Sequence, residues 1–298
     1  MMESAPTEAI QMEDESEVLK RITDPKVPTE KERDDHYFMG HAVYRNWCPI
    51  CVQSRGREMG HTVMPKDKQL PEYAFDYCFP GDQLGYKWTV LVGKERDGKA
   101  FMAHTVPQKG GVGRFASDKC VEFIEECGDM ENTVIVKTDQ EQAIQVVVGD
   151  IISNRKEGRT IQELSPVSSK GSNGLAERAV QEVEGLIRAI LLSLEERLGM
   201  KLDARERIIA FIPAYAAYLL NRVPRGEDGK TAYERTRGKK TNVRTVEFGE
   251  KLLYMRGASE KKGKLAKIEP RFEFGIFIGV HSKSGMAVVC TPGGIRYS

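Results

Sequence analysis

The run Tyr73-Ala-Phe-Asp-Tyr-Cys-Phe79 is apolar at every position but one, and that one is a carboxylate. A buried strand that carries Asp76 incurs a desolvation cost, which a nearby cation can offset. A second acid, Asp139, closes the β-branched run Thr133-Val-Ile-Val-Lys-Thr138. A third, Glu177, lies in Asn173-Gly-Leu-Ala-Glu-Arg-Ala-Val180, at the start of a long amphipathic helical pattern. Two strand carboxylates and one helix carboxylate are what a divalent metal pair needs for phosphodiester chemistry. The first two are separated by 62 residues and the last two by 37. If the strands of Asp76 and Asp139 are neighbours, both carboxylates emerge near one sheet edge, and the helix opening at Gly174 delivers Glu177 across from them. Each acid alone has a plainer reading. Asp139 could cap the following helix, and Glu177 could be one surface acid among many. Taken jointly, the three favour a metal site and make nucleic acid the first substrate to consider.

At 298 residues, 40% of them hydrophobic, the chain can build one large domain or two smaller ones around a real core. No apolar run reaches membrane-spanning length, and the polar, acidic start does not read as a secretory signal. No membrane partner is expected. The net charge of +1 hides an asymmetry: residues 1–35 hold 11 acids and 5 Lys+Arg, whereas residues 221–270 hold 14 bases and 7 acids. A basic distal segment beside an acidic centre fits contact with a phosphate backbone, although a solvated lysine-rich surface would look the same. Of the six cysteines, Cys48 and Cys51 form a close pair and the rest are scattered. That usage suits a reducing compartment and a metal site better than a disulfide framework.

Periodicity organises the chain further. Residues 1–35 are charged and aperiodic and read as disordered; residues 36–70 form a small Cys/His-rich, zinc-binding-like module. Strands are expected over 72–79, 87–94 and 99–106, the last two joined by a hairpin at Asp97-Gly98. Helix 116–127, strand 133–138, helix 141–154, strand 159–164 and helix 175–198 follow. A second long helix over 204–221 should be kinked by Pro213. This order is that of an α/β layer around a mixed sheet, placed here over residues 71–224. Residues 225–247 read as a basic linker, and 248–298 as a small β-rich domain with strands at 251–256, 272–280 and 287–291.

The spacing His36-x4-His41-x6-Cys48-x2-Cys51 offers imidazole and thiolate ligands suited to tetrahedral Zn²⁺. The gap between His41 and Cys48 is short, so His61, with nine residues between it and Cys51, is an alternative fourth ligand to His36. Cys78, Cys120, Cys127 and Cys290 read as core residues, Trp47 and Trp88 as packing residues, and His104 as a structural histidine.

Phe75-Asp-Tyr-Cys-Phe79, Val136-Lys-Thr-Asp-Gln-Glu-Gln-Ala-Ile144 and Ser172-Asn-Gly-Leu-Ala-Glu-Arg-Ala179 together resemble a retrotransposon integrase of the Ty1/copia kind, a DDE recombinase with a ribonuclease-H-like core. Tyr215-Ala-Ala-Tyr-Leu-Leu-Asn-Arg222, Thr231-Ala-Tyr-Glu-Arg235 and Phe248-Gly-Glu250 extend the likeness, which runs over about residues 36–280. The resemblance implies a five-stranded mixed sheet with flanking helices, and a polynucleotidyl transferase that joins DNA 3′-ends to target DNA. It implies that Asp76, Asp139 and Glu177 hold two Mg²⁺ ions, and that a His-His-Cys-Cys zinc module precedes the core. Retroviral members carry lysines one and two turns after the glutamate, where this chain has Gln181 and Glu184. Arg178 and Arg188 are the expected substitutes in contacting DNA, with Lys239 and Lys240 in the basic cluster 235–244. The likeness further implies a homo-oligomer acting on element ends and target DNA in the nucleus after cytoplasmic synthesis. Two other readings stay open: a DNA-binding remnant without activity, and a ribonuclease-H-like nuclease that cuts without joining.

Overall fold

The computed structural model describes residues 27–38, 45–55, 70–81, 88–110, 112–165, 174–203, 205–241, 246–255 and 270–298. The chain divides into two compact units, Met1–Pro65 and Lys66–Ser298. In the first, α1 (Glu30–Phe38) starts inside the stretch expected to lack structure. Its N-terminus is a capping box: Thr29 Oγ1 accepts the Glu32 N–H at 3.3 Å, and Glu32 Oε2 accepts the Thr29 N–H at 2.9 Å. Such reciprocal bonds satisfy two orphan donors and help hold a short helix of poor apolar content. α2 (Pro49–Arg55) opens on a proline, whose missing N–H costs nothing at a helix start.

In the second unit, β1 (Glu72–Cys78), β2 (Val90–Glu95), β3 (Phe101–Thr105), β4 (Val134–Thr138) and β5 (Thr160–Leu164) form one sheet in the order β3-β2-β1-β4-β5. The β1–β2 and β2–β3 pairs are antiparallel, and β1–β4 and β4–β5 are parallel. This is the mixed, ribonuclease-H-like sheet that the element order calls for. The expected hairpin turn is present, with the Glu95 carboxylate accepting the N–H groups of Asp97 at 2.7 Å and Gly98 at 2.6 Å. Strand side chains alternate between faces, so Tyr73, Phe75 and Tyr77 pack under α3 (Phe115–Cys127) and α4 (Gln142–Asn154). Cys78 belongs to the opposite layer, with α5 (Gly174–Leu198) and α6 (Ile212–Arg222). Asp76 shares the Cys78 face. Ala176, Ala179, Val183, Ile187 and Leu194 make the buried stripe of α5.

At the end of α4, Arg155 is only 3% exposed and its guanidinium donates to the carbonyls of Asp129, Met130 and Asn132 and to Thr160 Oγ1. It fastens the turn before β4 to the start of β5. Gly158 must stay a glycine here, because an added Cβ would lie 2.5 Å from that guanidinium and 2.6 Å from two of the same carbonyls.

Several expectations change. Pro213 does not kink a long helix. A 3₁₀ turn (Arg207–Phe211) precedes α6, and Pro213 sits in its first turn, where proline is tolerated. The segment 225–247 is not a plain linker. It contains α7 (Ala232–Arg237), started by a capping box between Thr231 and Glu234. The pattern Thr231-x-x-Glu234 was the available signal. Nor do residues 248–298 build a core of their own. β6 (Lys251–Met255), β7 (Phe272–Val280), β8 (Ala287–Thr291) and β9 (Gly294–Tyr297) form an antiparallel sheet in that order. Phe248, Tyr254, Phe277 and Val289 share one apolar cluster with Ile212, Tyr215 and Ile187. The Tyr215 ring meets Phe277 and Phe248 at centroid distances of 5.6 Å each. β9, four residues long, follows Gly293 and had too little periodicity to be read. Among the described residues no helix is long and apolar enough to cross a membrane.

Candidate active site and metal-binding residues

The parallel pairing of β1 with β4 sets Glu72 beside Ile135, Tyr73 beside Val136 and Ala74 beside Lys137. The same register carried two residues further sets Asp76 beside Asp139. Both stand toward the C-terminal ends of adjacent parallel strands, where the sheet order reverses direction between β1 and β4. In open α/β sheets that crevice is the preferred place for a ligand.

One oxygen of each carboxylate serves nearby backbone. Asp76 Oδ1 accepts the Tyr77 N–H at 2.7 Å, and Asp139 Oδ1 accepts the Glu141 N–H at 3.0 Å. The second bond is an Asx-type turn leading into α4, whose N-cap is Glu141 rather than Asp139. Burial pushes the Asp76 carboxyl up to about 6, and the charges of Asp139 and Glu141 push the same way. The Tyr77 N–H and the Lys109 ammonium pull it down. Asp76 and Asp139 are therefore close enough to feel one another's charge, in a half-buried setting that a cation would relieve.

Glu141 and Lys109 were not singled out by sequence. They form an ion pair at 2.5 Å, joining the turn before α4 to the loop after β3. No periodicity signals such a pair, since both residues lie outside regular elements.

Glu177 is exposed on the first turn of α5. Glu184, about two turns further along the same stripe, reaches β1: its carboxylate and that of Asp76 add to the burial that raises the Cys78 thiol. α5 thus turns its acidic stripe toward the strand that carries Asp76. Asp76, Asp139 and Glu177 do not, however, bring their oxygens within 4.8 Å of one another. Arg178 is exposed and donates from Nε to the Gly174 carbonyl at 3.0 Å; Arg188 is exposed on α5, and Lys239 and Lys240 are exposed beyond α7. Arg235, inside the basic cluster, is committed internally, with bonds of 2.5 and 2.8 Å to Asp228 and others to the Lys230 and Gly98 carbonyls. Arg244 and the lysines of 261–267 lie outside the described residues.

In the first unit, His36, Cys48 and Cys51 are all buried, and their ligand atoms lie within 4.8 Å of one another. Cys51 Sγ is 3.4 Å from His36 Nε2. Zn–S and Zn–N bonds of about 2.3 and 2.0 Å at a tetrahedral angle would set such atoms roughly 3.5 Å apart. The donor set therefore fits zinc. His41 and His61, the remaining ligand candidates, lie outside the described residues. Trp47 packs edge-on against His36 at 5.0 Å. In the second unit, Trp88 is buried and bonds Thr105 Oγ1 at 3.0 Å. Burial lowers His104 to about 4, keeping it a neutral structural side chain.

No protein-family model and no curated protein matches the chain. Solved structures do match. The catalytic core domain of BIV integrase is 14% identical with a TM-score of 0.39, covering 55% of this chain and 92% of that one. A simian T-cell lymphotropic virus intasome is 12% identical with a TM-score of 0.44, covering 89% of this chain and 94% of that one. The HTLV-2 integrase catalytic core domain in complex with magnesium is 14% identical with a TM-score of 0.41, covering 56% and 97%.

Proposed function

We propose that the chain is an integrase of the Ty1/copia retrotransposon kind, a polynucleotidyl transferase that joins a DNA 3′-end to a target strand. The observation that carries this reading is that Asp76 and Asp139 lie toward the ends of paired parallel strands at the strand-order reversal, where the charge of Asp139 adds to the burial that raises the Asp76 carboxyl. Asp76 and Asp139 would hold magnesium, with Glu177 brought in from α5 to complete the set. The donors are all hard oxygens, which suits that ion. When bound, magnesium supplies Lewis-acid activation of the attacking hydroxyl and neutralises charge on the leaving oxygen. The protein's own part is to fix the two carboxylates through the Tyr77 and Glu141 N–H groups, so that neither must reorganise when substrate arrives. Arg178, Arg188, Lys239 and Lys240 would contact the phosphate backbone of element ends and target DNA. His36, Cys48 and Cys51 would hold Zn²⁺ with a fourth ligand from His41 or His61. A homo-oligomer working in the nucleus completes the proposal.

The test is strand transfer by the purified full chain with Mg²⁺, comparing wild type with Asp139→Asn. Joined product should come from the wild type alone, and equal product from both would remove the assigned chemistry. The exposure of Glu177 favours one second reading, a DNA-binding remnant. That reading predicts salt-sensitive DNA binding with no magnesium-dependent product from either protein.

A further inference from the structure

The Lys109 ammonium acts through its charge on the Asp76 carboxyl, and nothing in the proposed chemistry uses it. It stands on the loop after β3, with its side chain 27% exposed. Three contacts hold it. Glu141 Oε1 accepts from Nζ at 2.5 Å, and Nζ lies 4.5 Å from the Phe79 ring centroid and 5.7 Å from that of Tyr77. The loop itself is pinned where the Gly110 N–H donates to the Tyr77 hydroxyl at 3.2 Å. Tyr77 and Phe79 flank the strand end that carries Asp76, and Glu141 follows Asp139 by two residues. Every group that restrains Lys109 therefore belongs to the same two chain segments as the aspartates.

A surface lysine ordinarily keeps several rotamers and loses that freedom when fixed. Here an ion pair and two aromatic faces have already restricted it. The need for such a cation follows from electrostatics. Asp76, Asp139 and Glu141 gather negative charge at the place a polyanion must approach, and a positive group at the rim offsets that repulsion. We propose that Lys109 is a DNA-contacting residue that binds a backbone phosphate next to the reacting one, with Glu141 as the positioning residue that holds its ammonium until DNA arrives. This deepens the transferase reading and rests on it.

The experiment uses the full chain and a short duplex of arbitrary sequence with a recessed 3′-end, comparing wild type, Lys109→Gln, Lys109→Arg and Asp139→Asn. Lys109→Gln should raise KM for the duplex with kcat little changed, and should lower the slope of log affinity against log salt by about one. Lys109→Arg should restore both. A wild-type slope and KM in Lys109→Gln, with Asp139→Asn inactive, would overturn the role of Lys109 alone. A fall in kcat at unchanged slope would also overturn it, leaving Lys109 as a prop for Asp76. Equal joining by wild type and Asp139→Asn would instead overturn the transferase reading, and this inference with it.

Discussion

Asp76→Asn should make the magnesium-free protein more stable at pH 7 while sharply reducing DNA joining. Burial, with Asp139 and Glu141 beside it, raises the Asp76 carboxyl from its ordinary value near 3.8 to about 6. A carboxyl whose folded-state pKa lies above its unfolded value binds its proton more tightly in the folded protein. Its stabilising effect is full below about pH 4, falls as pH rises, and is gone above about pH 6, where the ionised group is a burden. Two pH units correspond to roughly 3 kcal/mol, an upper limit that partial exposure reduces. Asparagine keeps the shape and still accepts the Tyr77 N–H, but carries no charge to desolvate. Thermal unfolding in magnesium-free buffer between pH 4 and 8 should show wild type falling behind Asp76→Asn as pH rises through this window. Joining should drop on the order of a thousandfold, because losing one ligand forfeits several kcal/mol of charge stabilisation. A variant that is less stable than wild type at pH 7 and still joins DNA would contradict both halves.

Cys51→Ser should remove zinc from the protein and unfold the region of α1 and α2, while leaving the unit Lys66–Ser298 folded. The unit Met1–Pro65 shows only two short helices among its described residues, too little to bury a core of adequate size. Structural zinc contributes about 10–16 kcal/mol of apparent binding energy in modules of this kind, so folding and metal loading are one event. Serine is a poor zinc ligand at neutral pH. Metal content measured on the purified chain should fall from about one zinc to near none, and hydrogen exchange in residues 30–38 and 49–55 should lose its protection. The same assay on His41→Ala and His61→Ala identifies the fourth ligand as the one whose loss empties the site. Retention of one zinc by Cys51→Ser would remove His36, Cys48 and Cys51 as a ligand set.

Much of the architecture was legible because its signals are local. The apolar run around Asp76, the β-branched run before Asp139 and the helical apolar pattern through Val183 and Leu194 each specify an element without reference to the rest of the chain. Adjacency of β1 and β4 could be posed from sequence only as a condition, since strand order depends on how α3 and α4 pack across the sheet. The Lys109–Glu141 pair was hidden for the same reason, joining two loops 32 residues apart. Glu184 stood out in the sequence only as a departure from the lysine of retroviral members, yet it turns toward Cys78 because α5 crosses β1 at that point. The basic composition of 225–247 obscured α7, whose capping box was in plain view but whose arginine is spent on Asp228. The last sheet read as a separate domain because strand patterning tells which face is apolar and not what covers it.

In the proposed chemistry Asp76 and Asp139 jointly grip a divalent cation. Crystals of the full chain soaked in Mn²⁺ test it through anomalous scattering, since manganese accepts the same oxygen ligands as magnesium. An anomalous peak is expected within coordination distance of both aspartate carboxylates, and should be lost in Asp76→Asn. Manganese bound elsewhere, with no peak between those two side chains, would contradict it.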